Sequence, residues 1–316
     1  MLNPSLLNEI NQIPGFENKK AFAGAFAAKP NGRMAARPIK FVTPGTNKKF
    51  SLDYILDAVG LKDGMTISFH HCLRNGDAVM LYVIDAIAKK GIRDLTLAVS
   101  SLSAVQDCLL PYFEQGVITA IDTSGNRGKL GAYVQQGKLK KPAIYRTHGG
   151  RARAIETGEL HINVAFIAAP CCDKYGNING VQGKSACGSL GYAMPDAEYA
   201  DFVVAVTDGY TETALDYVSI PQTQVDYITE VDSIGDPAGI ATGSIRVSKS
   251  PAELVISKYA ADVIAATEYF RDGMVFSLAA VVWLSLRPAS SVRKCCRIVL
   301  LPALAWAACP VSMSRC

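Results

Sequence analysis

The strongest constraint on this chain is a series of three apolar segments, each closing on a compact polar loop, between Met65 and Arg151. Met65–Ser68 leads into Phe69-His70-His71, Leu95–Val99 into Ser100-Ser101, and Ala143–Tyr145 into Arg146-Thr147-His148-Gly149-Gly150-Arg151. The apolar residues run nearly unbroken instead of alternating, as in strands buried on both faces of a parallel sheet. Ser51–Val59, Val79–Lys90 and Ala104–Gln115 carry helical spacing, and Lys89-Lys90-Gly91 supplies a basic last turn with a glycine stop. Further strands are predicted at Val117–Asp122, Ile162–Ala169, Val203–Thr207 and Gln224–Val231. Helices are predicted at Leu130–Gln136, Ala152–Thr157 and Glu253–Tyr269, and a hairpin turn at Asp173–Gly180. This alternation predicts an α/β fold, a doubly wound, mostly parallel sheet with an antiparallel edge. Ligands bind such sheets at the carboxyl ends of the strands, so the three loops predict a shared pocket for an anionic small molecule.

A chain of 316 residues holds one large or two ordinary α/β domains without disulfide or metal support. Its net charge of +4 hides a break: Arg287, Arg293, Lys294, Arg297 and Arg315 follow Phe276, where no acid occurs. Residues 1–276 carry 27 basic and 28 acidic side chains, so no basic face is expected and nucleic acid is not an expected partner. The opening MLNPSLLNEINQ lacks the charge and apolar pattern of a secretory signal, which predicts a cytoplasmic protein. Ile298–Val311 offers about 14 apolar residues interrupted by proline, short of the roughly 20 a span needs, so no membrane association is expected. The nine cysteines are scattered, and the adjacent pairs Cys171-Cys172 and Cys295-Cys296 have no second pair at zinc spacing; reduced thiols and no metal are expected. No nucleotide P-loop or GxGxxG fingerprint occurs.

Three regions follow: an N-terminal arm at 1–50 with one helix near Lys19–Ala28, an α/β domain at 51–276, and a tail at 277–316. The tail holds both tryptophans and four of the nine cysteines but no acid or glycine, the composition of an out-of-frame, poorly structured segment. A buried terminal hairpin is the alternative.

The densest polar cluster is Ser68-Phe69-His70-His71-Cys72-Leu73-Arg74-Asn75-Gly76-Asp77. A helix beginning near Asp77 aims backbone N–H groups at an anion, and Arg74 offers a bidentate partner for a carboxylate. Adjacent histidines on an extended segment point oppositely, so one of His70 and His71 faces the pocket; a strand cap and a solvated side chain are the bland alternative. In Thr147–Arg151, Gly149 and Gly150 permit close backbone approach between His148 and Arg151, unless the segment is only a tight turn. Ser100 and Ser101 either donate to a ligand or cap the next helix. Ser124–Gly128 either cradles an anion or turns the chain. Cys187 reads as a buried thiol in preference to a nucleophile.

These motifs carry a resemblance. SFHHCLRNGD, LTLAVSSLS, TSGNRG, THGGR, GELHINVAFIAAPCCDKYGNINGVQGKSACGSLGY and PAELVISKYAADVI together resemble the alpha-subunit family of bacterial citrate lyase, within the CoA-transferase superfamily, over Leu61–Phe276. The resemblance implies a CoA-transferase-type sheet and a transferase that exchanges acetate for citrate on an acyl-carrier thioester. The implied partners are a beta subunit, which cleaves the citryl thioester, and a gamma acyl-carrier subunit. No cofactor of the chain's own and no metal is implied; the thiol belongs to a phosphopantetheine-type arm on the carrier. Ser68, His70, His71, Arg74, Gly76, Asp77, Ser100, Ser101, His148, Gly149, Gly150, Arg151, Asn177 and Asn179 are the candidates for binding substrate or the pantetheine thioester, and no catalytic residue is assigned. The resemblance also implies a second α/β half following Ser277, with the active site between the halves. An isolated anion-binding module without turnover is the competing reading.

Overall fold

The computed structural model describes residues 4–12, 32–39, 46–242, 250–269, 275–278 and 299–302. The helix expected at Lys19–Ala28 and most of the tail, with Trp283 and Trp306, lie outside the described residues. The chain divides into two units, residues 1–34 and 35–316. The first contributes helix α1 (Pro4–Ile10). All elements below belong to the second.

Helix α2 (Leu52–Ala58) starts where the Ser51 hydroxyl accepts the Tyr54 N–H, and it buries Leu52, Ile55 and Leu56. After β1 (Thr66–Phe69), α3 (Val79–Lys89) buries Val79, Met80, Val83, Ile84 and Ile87, one stripe at helical spacing. Beyond β2 (Leu95–Val99), the helix expected over Ala104–Gln115 is split. A 3₁₀ stretch at Ala104–Leu109 precedes α4 (Leu110–Glu114), because Pro111 has no N–H to donate and fits only the first turn of a helix.

The chain continues through β3 (Ile118–Thr123), α5 (Gly128–Gln135), β4 (Ile144–Tyr145) and α6 (His148–Glu156). Next come β5 (Val164–Ala169), β6 (Cys171–Asp173), β7 (Ile178–Asn179), α7 (Ala193–Tyr199), β8 (Phe202–Thr207) and β9 (Tyr210–Thr211). After β10 (Tyr227–Glu230) follow α8 (Pro237–Thr242), α9 (Pro251–Ala265), β11 (Val275–Leu278) and β12 (Val299–Pro302). β11, which straddles the expected boundary at Ser277, pairs in parallel with β12 inside the segment expected to be irregular.

Seven strands form the main sheet in the order β10-β8-β5-β1-β2-β3-β4, and every pairing is parallel. The antiparallel pair expected at its edge is instead β6–β7, part of a separate sheet ordered β7-β6-β9. Pro170, between β5 and β6, has no N–H to extend the main ladder. Every residue of β3 and β5 is buried, and each fully buried Val, Ile or Phe contributes about 1.5–3 kcal/mol.

The order of strands places the site. From β1 the chain builds outward through β2, β3 and β4, then returns to lay β5, β8 and β10 on the other side. Connections therefore leave the neighbours β1 and β5 in opposite directions, the topology that in open α/β sheets makes the carboxyl ends of such strands the ligand-binding crevice. On the far side of the sheet Arg37 pairs with Asp226 at 2.7 Å, and Lys49 bridges to Ile228.

Candidate functional site

The loop leaving β1 reaches this crevice first. Arg74 has φ 53°, a left-handed conformation that costs a non-glycine residue about 1–2 kcal/mol and calls for a compensating role. Its Nη1 donates to the Ile240 carbonyl at 2.6 Å and its Nη2 to the Cys187 carbonyl at 3.5 Å, while Nε is buried without a partner among the described residues. Only 9% of Arg74 is exposed, yet no carboxylate pairs with it among the described residues. A buried cation solvated only by carbonyl dipoles leaves net positive potential in the crevice.

Beside it the two histidines separate as the strand geometry requires. His70 is buried and accepts the Cys72 N–H at Nδ1, 3.3 Å away. His71 turns toward the crevice, its ring centroid 5.7 Å from that of His148 and 5.3 Å from that of Tyr192, with His148 and Tyr192 at 5.1 Å. Ser100 fixes His71 twice: its hydroxyl oxygen accepts the backbone N–H at 3.0 Å and lies 2.5 Å from Nδ1. Burial lowers His71 to about 3, helped by His148, His70, Arg151 and Arg74; burial likewise lowers His70 to about 4, and lowers His148. All three imidazoles are therefore neutral at pH 7. The same positive field that disfavours imidazolium favours an anionic ligand.

Thr147–Arg151 is the first turn of α6, not a free loop or an isolated tight turn. The Thr147 hydroxyl caps it by accepting the Gly150 N–H at 3.0 Å, while Gly149 remains exposed. This registry turns Arg151 inward. Its side chain is 1% exposed and pairs bidentately with Asp196, Nη1–Oδ1 at 2.8 Å and Nη2–Oδ2 at 2.9 Å; Ser68 adds a 2.7 Å bond to Asp196 Oδ2. Arg151 and Ser68 are thus committed to Asp196, which neutralises the cation expected to be free for ligand. Asp196 and Tyr192 escaped the sequence reading. The signal for Asp196 was its place on one face of α7 with buried Ala193 and Ala197, at i, i+3 and i+4, where an acid needs a buried partner.

Other candidates hold structure. Gly76 packs against α8 so closely that a Cβ would sit 2.3 Å from the Asp236 carbonyl oxygen, which explains the glycine without a ligand. Asp77 accepts the Val79 N–H at the start of α3 and the Gln106 amide; burial, opposed by these bonds, raises it to about 6. Ser101 is half-buried, while Ser103 closes a capping box with Gln106. The Ser124–Gly128 loop turns the chain, its Gly125 carbonyl accepting the Leu102 N–H. Asn179 spends both amide atoms locally, donating to Gln182 and Tyr217 and accepting the Val181 and Gln182 N–H groups. Asn177 bonds to Asp173 and accepts the Gln222 N–H. Both asparagines therefore secure the β6–β7 hairpin. A separate cavity of about 750 Å³ beside β10, lined by Lys49, Tyr82, Lys184, Asp208, Glu230 and Asp232 among others, includes none of the candidates.

Among the described residues no group of three or more His, Cys, Asp or Glu side chains is placed to hold a metal, and no helix is long and apolar enough to cross a membrane. The arrangement is a positively polarised crevice of neutral hydrogen-bonding rings, suited to a carboxylate and to negative charge developing at an acyl oxygen.

Comparison with known proteins gives the family of the chain. The model of the family described as citrate lyase, alpha subunit (CitF), matches residues 47–282, beginning before and ending after the stretch that carries the resemblance. A citrate lyase alpha chain from Haemophilus influenzae is 47% identical over 228 residues, covering 72% of this chain and 45% of that protein. A crystal structure of a citrate lyase alpha subunit from Streptococcus mutans in complex with citrate matches with TM-score 0.71 and 48% identity, over 83% of this chain and 51% of the other. The alpha subunit of a malonate decarboxylase from Acinetobacter baumannii shares the fold alone, at TM-score 0.52 and 17% identity. The chain spans about half the length of the relatives it matches.

Proposed function

The chain belongs to the citrate lyase alpha-subunit family, and from that premise we propose that the crevice between β1 and β5 binds a carboxylate of citrate, for transfer of citrate onto an acyl-carrier thioester with release of acetate. The observation that carries this reading is Arg74, a buried cation with no carboxylate partner among the described residues, in the loop that also carries His71, whose ring lies against those of His148 and Tyr192. A citrate carboxylate supplies the missing charge. His71, oriented by Ser100, and the exposed start of α6 at Gly149 provide neutral donors, which stabilise charge developing at the acyl oxygen without being neutralised by the substrate.

The carrier's phosphopantetheine-type arm supplies the thioester. The proposed partners are the beta and gamma subunits of a cytoplasmic citrate lyase complex. Binding without turnover is the second reading: among the described residues the candidate site brings together a cation and neutral hydrogen-bonding groups, with no nucleophile assigned.

Calorimetric titration with citrate tests the site, and transfer of labelled citrate to an acetylated carrier, with and without the remaining half of a full-length relative, tests the reaction. Citrate heat that vanishes in Arg74→Gln is expected. Equal citrate affinity in wild type and Arg74→Gln contradicts the site, whereas binding with no transfer even in the presence of the other half supports the module reading.

A further inference from the structure

The shortest contact of the Arg74 guanidinium reaches 166 positions along the chain, to the carbonyl of Ile240 in α8. The segment from Ile234 into α8 lies against the turn Arg74–Gly76 at backbone distance. The Asp236 N–H donates to the Gly76 carbonyl at 2.8 Å, the Ala78 N–H donates to the Ile234 carbonyl at 3.1 Å, and Asp77 forms an antiparallel bridge with Gly235. Glycine makes this approach possible. A Cβ at Gly235 would sit 2.0 Å from the Gly76 carbonyl oxygen, and one at Gly239 would sit 2.9 Å from Gly76 Cα and N and 3.0 Å from the Asn75 carbonyl carbon. All of these neighbours are backbone atoms, so no rotating side chain can make room for either methyl.

Both ends of α8 are fixed. At its start the two carboxylate oxygens of Asp236 accept the Ala238 and Gly239 N–H groups, each at 3.0 Å. Its other end supplies what Arg74 uses. The last four carbonyls of a helix have no partner within it, and α8 ends at Thr242, so Ile240 is among them. Ile240 is 1% exposed, and its carbonyl accepts Arg74 Nη1 at 2.6 Å. The carboxyl end of a helix carries partial negative charge, which suits a cation. Because the guanidinium is a planar fork, fixing one nitrogen sets the direction in which the others face.

We propose that α8 is the positioning element of Arg74, and that Gly235 and Gly239 are positioning residues because they admit the helix to the turn. The contact holds the guanidinium through the Ile240 carbonyl and holds the backbone of Arg74 at φ 53°, a conformation that persists only where its surroundings over-determine it. The identity of the anion rests on the citrate reading. The positioning rests on the backbone contacts alone.

The Arg74 guanidinium signals in nitrogen NMR of the full chain, identified by their loss in Arg74→Gln, report this anchor. Resolved, slowly exchanging Nη protons are expected in the wild type; averaged, rapidly exchanging ones overturn the proposal with no variant needed. In Gly239→Ala the methyl pushes α8 from the turn, so the signals are expected to average and citrate affinity by calorimetry to fall about tenfold. Asp236→Ala removes the cap but leaves the glycines, and it serves where Gly239→Ala does not fold; it is expected to act in the same direction by about threefold. Ile84→Val, a buried change on α3, is expected to lower the urea midpoint and leave both readouts as in the wild type. Unchanged Arg74 signals in the two α8 variants overturn the proposal, as does unchanged affinity where the wild type binds citrate. An equal loss in Ile84→Val also overturns it, because the readouts would then follow stability alone. A wild type that binds no citrate defeats the citrate reading and leaves the Arg74 signals to decide the positioning.

Discussion

The loop after β1 and the start of α6 after β4 each bring one buried arginine to the carboxyl edge of the sheet, but the surroundings answer the two charges differently. Arg151 meets both oxygens of Asp196, so its charge is cancelled within the protein. Arg74 meets only the carbonyls of Ile240 and Cys187, on a backbone held at φ 53°. One residue type thus stands in two settings: a paired cation links α6 to α7, while an unpaired one leaves the positive potential on which the proposed citrate site rests. The difference arises because α7 presents Asp196 to one side of the crevice, and no described acid reaches the other.

The largest expected effect tests the paired side. Asp196→Asn leaves Arg151 buried without its counter-ion and is expected to cost about 3–5 kcal/mol in urea unfolding. A loss below about 1 kcal/mol would show that the pair is not what holds α6 to α7.

The second prediction concerns pH. His70 and His71 titrate in the folded chain at about 4 and about 3, below the ordinary histidine value of 6.5, so their stabilisation is present above that value and lost as pH falls. Asp77, raised to about 6, acts oppositely: its contribution is full below 3.8 and lost as pH rises through 6. Between pH 6 and 4 it therefore offsets one histidine. The balance of these three groups is a fall of roughly 1.4 kcal/mol per pH unit, and Asp77→Asn is expected to steepen it. Urea midpoints at pH 6, 5 and 4 check the slope, and a flat profile in the variant contradicts it.

The unpaired side predicts a different signature. Arg74→Gln is expected to lower citrate affinity at least about tenfold, near 1.4 kcal/mol, while changing stability by less than 1 kcal/mol, since it removes an uncompensated buried charge. A stability loss as large as that of Asp196→Asn, with citrate binding intact, would collapse the distinction between the two arginines. The smallest effects separate the neighbouring glycines of α6. A Cβ at Gly150 sits 2.7 Å from Thr147 Oγ1 and displaces the cap, so Gly150→Ala is expected to cost about 1 kcal/mol. A Cβ at Gly149 meets nothing within 4 Å, so Gly149→Ala is expected to stabilise by about 0.4–1 kcal/mol. Thermal melts of the two variants should move in opposite directions.

What the chain's own order of residues determined is the sheet and the edge at which chemistry gathers. Unbroken apolar runs such as Val164–Ala169 can be satisfied only by burial on both faces, and helical stripes such as Val79–Ile87 must cover them, so α/β class, strand positions and the loops at His71 and Ser100 were legible from local pattern, whereas the segment at His148 is a helix start. The unequal facing of His70 and His71 was legible too, because a strand alternates its side chains. The split at Pro111 was written in the proline and overlooked. Tertiary structure alone decided which polar residues remain available. Arg74 and Arg151 look alike in sequence, and only the packing of α7 against α6 brings Asp196, 45 positions away, onto one of them. Asn177 and Asn179 look like ligand groups until the hairpin consumes their hydrogen bonds. The physical reason is that hydrophobic periodicity is set by near neighbours along the chain, whereas the cancellation of a buried charge depends on which distant segment lies within about 3 Å of it.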